Sequence, residues 1–289
     1  MNILARDPRK IESEPLMNSE QRAQYERDGY TVLRGFFGPE ELERWRERFR
    51  AIVEQRASRP ENMLVMKDVM VAKRAVAPTS AEASIQKLQD LHQDPVFDTY
   101  IRHERMLDEV EQITGPDIKM IHNMFINKPP VVDGRHPLHQ DLVYFPFRPA
   151  DKIVATWTAI DRCTPENGCL TVVPGTHRGE LLEHELPEWE YVNFSYLGAQ
   201  GVGQQTERVH LEMEPGDVAL FHPVLLHGSG HNRTTGFRKA ISAHYASAQC
   251  HYLPPEEDFN GVYANVRAYN EKMGRSYVLV RGREYESGI

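Results

Sequence analysis

The chain has 289 residues, of which 40% are hydrophobic and 26% charged, and its formal net charge is -8. These values exclude a fibrous or disordered protein and favour one globular domain with a substantial core. The acidic balance gives no support for a nucleic-acid or anionic-membrane partner, and no apolar run reaches the ~18 residues of a membrane-spanning helix. Three cysteines without CxxC spacing argue against a disulfide scaffold or a zinc-thiolate site.

We recognise no targeting signal in the first or last residues of the sequence. The first seven residues are too polar for a signal peptide, and the last three, Ser-Gly-Ile, differ from the Ser-Lys-Leu peroxisomal signal. We therefore expect a cytoplasmic location, with a peroxisomal one as the alternative. Residues 1–18 are predicted to be a flexible N-terminus, and residues 19–289 a single domain.

The first part of that domain, residues 19–117, is predicted to be mostly helical. A helical stretch that opens at Ser19 and ends near Gly29 is predicted first. Helical spacing of apolar residues, with Gly and Pro as stop signals, then predicts helices over 39–53, 84–91 and 95–114. Residues 30–33 read as a strand, and residues 63–66 and 68–71 as two further short strands. In the helix over 84–91, Lys87 falls on the polar side, which predicts a solvated lysine.

From residue 118 the pattern changes to short apolar runs separated by Gly, Pro and Asn. Strands are predicted over 119–127, 139–141, 153–160, 169–173, 209–213, 218–221 and 238–245. Asn167-Gly168, between two of these runs, predicts a hairpin. About eight short strands favour a mainly β fold with added helices, namely a double-stranded β-helix of the cupin-like jelly-roll type, with its core over 118–250 and a C-terminal extension over 251–289.

The chemistry of the predicted barrel centres on His139 and Asp141. Residues two apart in a strand point to the same face, so both side chains would enter one cavity. Two histidines and one carboxylate form the facial triad that holds non-haem Fe(II) with open coordination positions. This pair would supply two of those three ligands.

Two other triplets of the same kind occur but have weaker contexts. His92 and Asp94 end a helical pattern, where residues two apart do not share a face. His210 and Glu212 alternate with apolar residues of their strand, so they are predicted to face solvent.

The third ligand is predicted to be His227, which ends an apolar run and precedes a glycine. A histidine buried in the core would look the same, and His222 and His231 are nearby rivals. Arg238 follows eleven residues after His227 and opens the last strand. A buried arginine there can bind a carboxylate in a bidentate manner, as the distal carboxylate of 2-oxoglutarate requires.

Several motifs together resemble the phytanoyl-CoA dioxygenase family, from about Gln21 to Tyr252. They are residues 124–130 (MFINKPP), 135–142 (RHPLHQDL), 144–149 (YFPFRP), 167–170 (NGCL), 174–177 (PGTH), 221–223 (FHP), 227–230 (HGSG) and 236–242 (GFRKAIS).

The resemblance implies an enzyme that uses Fe(II), 2-oxoglutarate and O2, with ascorbate as an optional reductant, to 2-hydroxylate a branched acyl-CoA. It implies that His139, Asp141 and His227 are the catalytic iron ligands. It also implies five residues around 2-oxoglutarate, namely Lys87, Met124, Trp157, Ser229 and Arg238. The residues alone would place Met124 and Trp157 in an ordinary core.

The substrate stays open at this level. A free acid, another small molecule or an acyl-CoA would suit the same chemistry, and a metal-dependent cupin that works without 2-oxoglutarate is the main alternative. A catalytically silent binding protein is a third reading, although no ligand is missing. Four cations could meet the phosphates of coenzyme A, although each also reads as a plain surface charge: Lys128, Arg135, Arg148 and Lys152. The sequence gives no oligomeric state.

Overall fold

A computed structural model describes residues 17–130, 132–193, 196–203, 205–258, 261–272 and 277–285. Its helices are α1 (Ser19–Asp28), α2 (Pro39–Val53), α3 (Val69–Ala72), α4 (Asp98–Ile101), α5 (Glu104–Thr114) and α6 (Val262–Lys272). None of the helices in these ranges is long and apolar enough to cross a membrane.

The strands alternate with turns and short 3-10 helices along the chain. They are β1 (Tyr30–Leu33), β2 (Leu64–Lys67), β3 (Ile85–Gln89), β4 (Ile118–Lys128), β5 (His136–His139), β6 (Phe147–Arg148), β7 (Ile153–Ala159), β8 (Leu170–Val172), β9 (His184–Glu185), β10 (Gly198–Ala199), β11 (Val209–Leu211), β12 (Val218–Phe221), β13 (His227–Ser229), β14 (Arg238–Ser247), β15 (His251–Tyr252) and β16 (Val278–Arg281).

Two antiparallel sheets form the barrel. The larger sheet has the order β1-β12-β7-β14-β4-β3-β2, with β16 also paired to β4, and the smaller one has the order β11-β8-β13-β5. Strands that are distant in sequence are neighbours in both sheets, as expected for a jelly roll. The predicted mainly β class and double-stranded β-helix are thus confirmed, with helices added mostly before β4.

The two faces of the central strand β14 show how the layers are separated. Ile241, Ala243 and Tyr245 pack under α2, α4 and α5 in the largest apolar cluster of the protein. Arg238, Ser242 and His244 alternate with them and face the space between the sheets. Every residue of β14 is buried, so its polar face must meet either partners or a ligand.

Several predicted elements are confirmed with small changes of boundary. They are α1, α2, β1, β2, β4, β7, β8, β11, β12 and β14. Met17 is already buried and the side chain of Asn18 caps α1, so the ordered part begins slightly before residue 19. The rest of the predicted flexible segment lies outside the described residues.

The helix predicted over 84–91 is wrong, because residues 85–89 form strand β3. Ile85, Leu88 and Leu91 have helical spacing, but β3 is inserted between β2 and β4 and is covered on both faces. A strand covered on both faces need not alternate polar and apolar residues, so its period is misleading. As a result Lys87 is buried rather than solvated.

Three further local predictions are wrong. Residues 69–72 form α3 instead of a strand, and the long helix over 95–114 is divided into α4 and α5. Asn167-Gly168 does not join a hairpin, because β7 and β8 belong to different sheets. Instead, Gly168 ends a short 3-10 helix with φ 78°.

The C-terminal extension pairs with strands that come before it in the chain. The strand β15 pairs with β6, and β16 pairs with β4 of the larger sheet. The helix α6 lies between them and packs against the 3-10 helix Asp141–Tyr144.

Candidate active site

His139, Asp141 and His227 come together between the two sheets, and their metal-binding atoms all lie within 4.8 Å of one another. Nε2 of His139 is 3.2 Å from Oδ1 of Asp141, and Nε2 of His227 is 3.6 Å from the same oxygen. All three residues are buried. Among the described residues, this is the one cluster of His, Cys, Asp or Glu with the spacing of a metal site.

The pairing of β5 with β13 brings the two histidines together, because His139 lies directly opposite His227 in the register. The predicted strand over 139–141 is too long by two residues. The strand β5 ends at His139, and Asp141 opens a 3-10 helix. Gln140 between them keeps an extended backbone, with φ -116° and ψ 123°, so the two side chains still enter the same cavity.

Hydrogen bonds fix the orientation of both imidazoles. Nδ1 of His139 donates to the carbonyl of Pro137 at 2.9 Å, and Nδ1 of His227 donates to the carbonyl of Leu225 at 2.9 Å. Each ring in its neutral form therefore presents the lone pair of Nε2 to the carboxylate. Backbone carbonyls commonly orient metal-binding histidines in this way.

Asp141 is held in its ionised form by the rings around it. Burial acts to raise the pKa of this carboxyl, but the neighbouring His227 and His244 outweigh it and hold the pKa well below its usual range. Oδ2 accepts a hydrogen bond of 2.8 Å from Nε2 of His244. Burial also lowers the pKa of His227 to about 4, against the opposing effect of the Asp141 charge.

The donor set fits a divalent cation. Nε2 of both histidines and a carboxylate oxygen of Asp141 lie within 4.8 Å of one another, close enough for one cation to bind all three. Two imidazoles and one carboxylate are the ligands of non-haem Fe(II) oxygenases, whose remaining positions bind co-substrates.

The competing triplets are not part of this cluster. Asp94 forms a salt bridge with Arg48 at 2.5 Å, and His210 is exposed on β11. Of the rival third ligands, His222 contacts Asp151 and His231 contacts Asp133.

One cavity of about 730 Å³ contains the whole predicted site. Its walls include the following predicted residues: Lys87, Met124, His139, Asp141, Trp157, His227, Ser229 and Arg238. The register of the larger sheet brings Met124 and Trp157 together, because Ser242 of β14 lies opposite both Met124 of β4 and Trp157 of β7.

Arg238 lines the cavity with a buried guanidinium group. Its side chain is 1% exposed, and Nη2 donates to the carbonyl of Gly168 at 2.9 Å. Nε and Nη1 are buried without a hydrogen-bond partner in the described part of the chain. A buried guanidinium with free donors is costly unless a ligand accepts from them, and a carboxylate matches that geometry.

Lys128 lies beside Arg238, since the two residues are opposite each other in the register of β4 and β14. Its ammonium donates to Oγ of Ser229 at 2.8 Å and to the carbonyl of Gly230. Burial, and then the charge of Arg238, hold the pKa of Lys128 well below its usual value. A bound anion would stabilise the charged forms of both side chains. The prediction of Lys128 as a surface charge is wrong.

The other three cations proposed for coenzyme A lie outside the cavity wall. Arg135 pairs with Asp133, the guanidinium of Arg148 donates to the carbonyls of Phe145 and Phe147, and Lys152 donates to the carbonyl of Ile113. Of the four candidates, Lys128 alone lines the cavity.

Lys87 enters the cavity from β3 beneath an aromatic stack. Its ammonium lies 4.8 Å from the ring centre of Tyr196. Tyr196 stacks on His136 at 3.9 Å, and His136 stacks on His139 at 4.0 Å. Burial lowers the pKa of Lys87 to about 8. This stack of rings extends from Lys87 to His139, one of the predicted iron ligands.

Sequence reasoning missed His244, His136 and Tyr196. A signal for His244 was present, because it lies six residues after Arg238 and therefore on the same face of a strand. No local pattern marks His136 or Tyr196, whose places depend on contacts between distant segments.

Comparison with known proteins agrees with this geometry. The family model for phytanoyl-CoA dioxygenase matches residues 25–240. A probable phytanoyl-CoA dioxygenase of Caenorhabditis elegans is 49% identical over 249 residues, which cover 83% of this chain and 79% of the relative. The peroxisomal phytanoyl-CoA dioxygenase of Homo sapiens is 46% identical over 242 residues, covering 82% of this chain and 71% of the relative.

A solved structure shows the same fold. It is the epimerase SnoN, in complex with Fe3+, alpha ketoglutarate and nogalamycin RO. The TM-score is 0.59 at 20% identity, over 81% of this chain and 85% of that chain. The family model and the two close relatives establish more than the fold, and the chain belongs to the phytanoyl-CoA dioxygenase family.

Proposed function

We propose that this protein is an Fe(II)- and 2-oxoglutarate-dependent dioxygenase that hydroxylates the carbon next to the thioester carbonyl of a branched-chain acyl-CoA. The observation that carries the proposal is a single cavity with a His-Asp-His cluster and, near it, a buried arginine with two unpartnered nitrogens. A metal cupin without 2-oxoglutarate would have no use for that arginine.

In this proposal His139, Asp141 and His227 hold the iron on one side. Their hydrogen bonds to backbone carbonyls and to His244 fix the ligands before the metal arrives. When bound, iron and 2-oxoglutarate would supply the oxidation, in which the two atoms of O2 enter succinate and the hydroxylated product. The protein contributes orientation and a dry cavity.

The co-substrate is assigned to the end of the cavity at Arg238. The free Nε and Nη1 of Arg238 would donate to its distal carboxylate, and Ser229 would present a hydroxyl to the same group. Lys128 adds a second basic group, which donates a hydrogen bond to Ser229. Met124 and Trp157 would cover the carbon chain and exclude water.

The acyl-CoA assignment rests on the relatives. The names of the two close relatives specify phytanoyl-CoA, and this chain is 46–49% identical to them over most of its length. For the compartment we keep the cytoplasm as the proposal and the peroxisome, which the human relative's name states, as the alternative.

The test is CO2 release from 2-oxoglutarate by the iron-loaded protein, measured with a panel of branched acyl-CoA thioesters and the corresponding free acids. We expect CO2 and the 2-hydroxyacyl-CoA in equal amounts, and neither product without iron. Turnover of the free acids alone would show that the substrate is the free acid and not the thioester. Metal-dependent turnover without any CO2 would contradict the co-substrate assignment and favour a cupin of another type.

A further inference from the structure

The cavity extends beyond the proposed iron ligands into a more apolar part. Arg238 and His244 are six residues apart on β14, which is about 20 Å of strand. A five-carbon dicarboxylate bound at Arg238 and at the metal would occupy only the first part of that length. Past His244 the walls include Ile121, Phe145 and Tyr277.

The helix α6 contributes two valines and two asparagines to the wall of this part. Val262, Asn265, Val266 and Asn270 all line the cavity. Their spacing of three and four residues places them on one face of the helix, which we call the α6 wall. Leu64 and Met66 of β2 also line the cavity, level with Met124 and Ile126 of β4.

The position of α6 is tied to the metal-binding segment. The Tyr263 side chain is 1% exposed, and its hydroxyl donates to the carbonyl of Leu142, next to Asp141, at 3.3 Å. Arg148 donates to the same hydroxyl at 3.2 Å. At the start of α6, the carboxylate of Asp258 accepts from the backbone amides of Tyr263 and Ala264 at 2.7 and 2.8 Å. The α6 wall is thus held at a defined distance from the iron ligands.

The family model ends at residue 240, before α6 begins. The iron ligands and Arg238 lie inside the matched region, whereas the α6 wall lies outside it. The reactive end of the cavity therefore lies within the residues that the family model matches, and the α6 wall is built by residues that follow them.

We propose that the α6 wall forms the subsite for the hydrocarbon chain of the substrate, and that Val262 and Val266 determine which chain length and branching are accepted. The ligand class is a methyl-branched saturated acyl chain, which such apolar side chains can desolvate. This proposal rests on the proposed function, because it assumes an acyl thioester as the substrate.

The experiment compares Val266→Trp with Ala268→Trp in the full-length, iron-loaded protein. Ala268 is exposed on α6 and does not line the cavity, so its variant adds the same bulk without entering the subsite. We measure kcat/KM for a long and a short 3-methyl-branched acyl-CoA. Val266→Trp is expected to lower the long-to-short ratio by about tenfold or more, and Ala268→Trp to leave it unchanged.

Two further measurements separate selectivity from general damage. Calorimetric titration without O2 should give Val266→Trp the wild-type dissociation constant for 2-oxoglutarate but weaker binding of the long acyl-CoA. Val266→Ala, which cannot overfill the cavity, should reduce the discrimination between chains with different branches.

The outcomes distinguish the two proposals. A long-to-short ratio that is unchanged in both Val266→Trp and Val266→Ala, with an active wild-type enzyme, would overturn the role of the α6 wall alone. A wild-type protein that binds 2-oxoglutarate but hydroxylates no acyl-CoA would overturn the acyl-CoA assignment and, with it, this proposal.

Discussion

The two ends of the cavity are built by different means. The end with the triad and Arg238 is set by strand pairing, because His139 lies opposite His227 and Arg238 lies opposite Lys128. The end with the α6 wall is set by a helix anchored through a few polar contacts of Tyr263 and Asp258. A shift in strand register would move every side chain of the strand to the other face. Substitutions on a docked helix, in contrast, leave the strand pairing unchanged. Under the two proposals above, the barrel holds the reactive groups and the helix α6 selects the substrate.

Asp141→Ala is expected to have the largest effect, because it removes a proposed iron ligand at the reactive end of the cavity. Loss of a proposed ligand should reduce metal content and lower succinate formation well beyond the ~10–100-fold typical of residues that only support a ligand. Metal analysis and a succinate assay give the result. The control is Asp151→Ala, since the Asp151 side chain also contacts a histidine but is 92% exposed. An Asp141→Ala enzyme with full activity would contradict the iron assignment.

Arg238→Met tests the proposed co-substrate site. Removal of two charge-assisted hydrogen bonds costs about 4 kcal/mol, or roughly a thousandfold in the dissociation constant of 2-oxoglutarate. Titration of the co-substrate into metal-loaded protein measures it. Arg233→Met is the matched control, because Arg233 is exposed nearby. If Arg238→Met bound 2-oxoglutarate as tightly as the wild type, the co-substrate carboxylate would have to bind elsewhere.

Lys87→Met tests how much the buried lysine of the cavity lowers the stability of the fold. Burial lowers the pKa of Lys87 from 10.5 to about 8, so the charged form destabilises the fold by about 3 kcal/mol. That cost is present in full below pH 8 and disappears as the pH rises toward 10.5. Lys87→Met should therefore raise the free energy of unfolding at pH 7, and the gain should shrink above pH 8.

Urea denaturation of the metal-free protein at several pH values measures this gain. Lys67→Met, at an exposed position of β2, provides the control and should show no comparable gain. A Lys87→Met variant less stable than the wild type at pH 7 would show that the lysine stabilises the fold.

His244→Phe has the smallest expected effect. It removes the hydrogen bond to Oδ2 of Asp141 while keeping an aromatic ring against Phe145. Metal affinity should fall about tenfold, as for other residues that orient a ligand. Competition with a chelator measures it, with the exposed His210→Phe as reference. An unchanged affinity would exclude His244 as a positioning residue.

Much of the reactive end was predictable from the sequence, because its signals are local. The separation of His139 and Asp141, the glycine after His227 and the strand that begins at Arg238 each carry information within a few residues. The burial of Lys128 was not predictable, since lysines are mostly exposed and only the pairing of β4 with β14 places this one inside.

The same difference between local signals and long-range contacts applies to the fold. The helix α2 was predicted because the spacing of its apolar residues reflects one buried face, whereas α1, which buries only Tyr25, was predicted from the residues at its two ends. The strand β3 was missed because it is covered on both faces and its polar residues enter the cavity. The place of α6 depends on contacts with Leu142 and Arg148, more than a hundred residues earlier in the chain.

The strand β14 makes correct assembly a requirement for both binding sites at once. Arg238 and His244 lie on one face, and a slip of one residue would replace them in the cavity with Lys239 and Tyr245. Lys239 would then leave its salt bridge with Glu82, and both the co-substrate site and the support of Asp141 would be lost together. A misaligned barrel would thus bind neither metal nor co-substrate well, so a partly folded protein would have little capacity for uncontrolled oxidation.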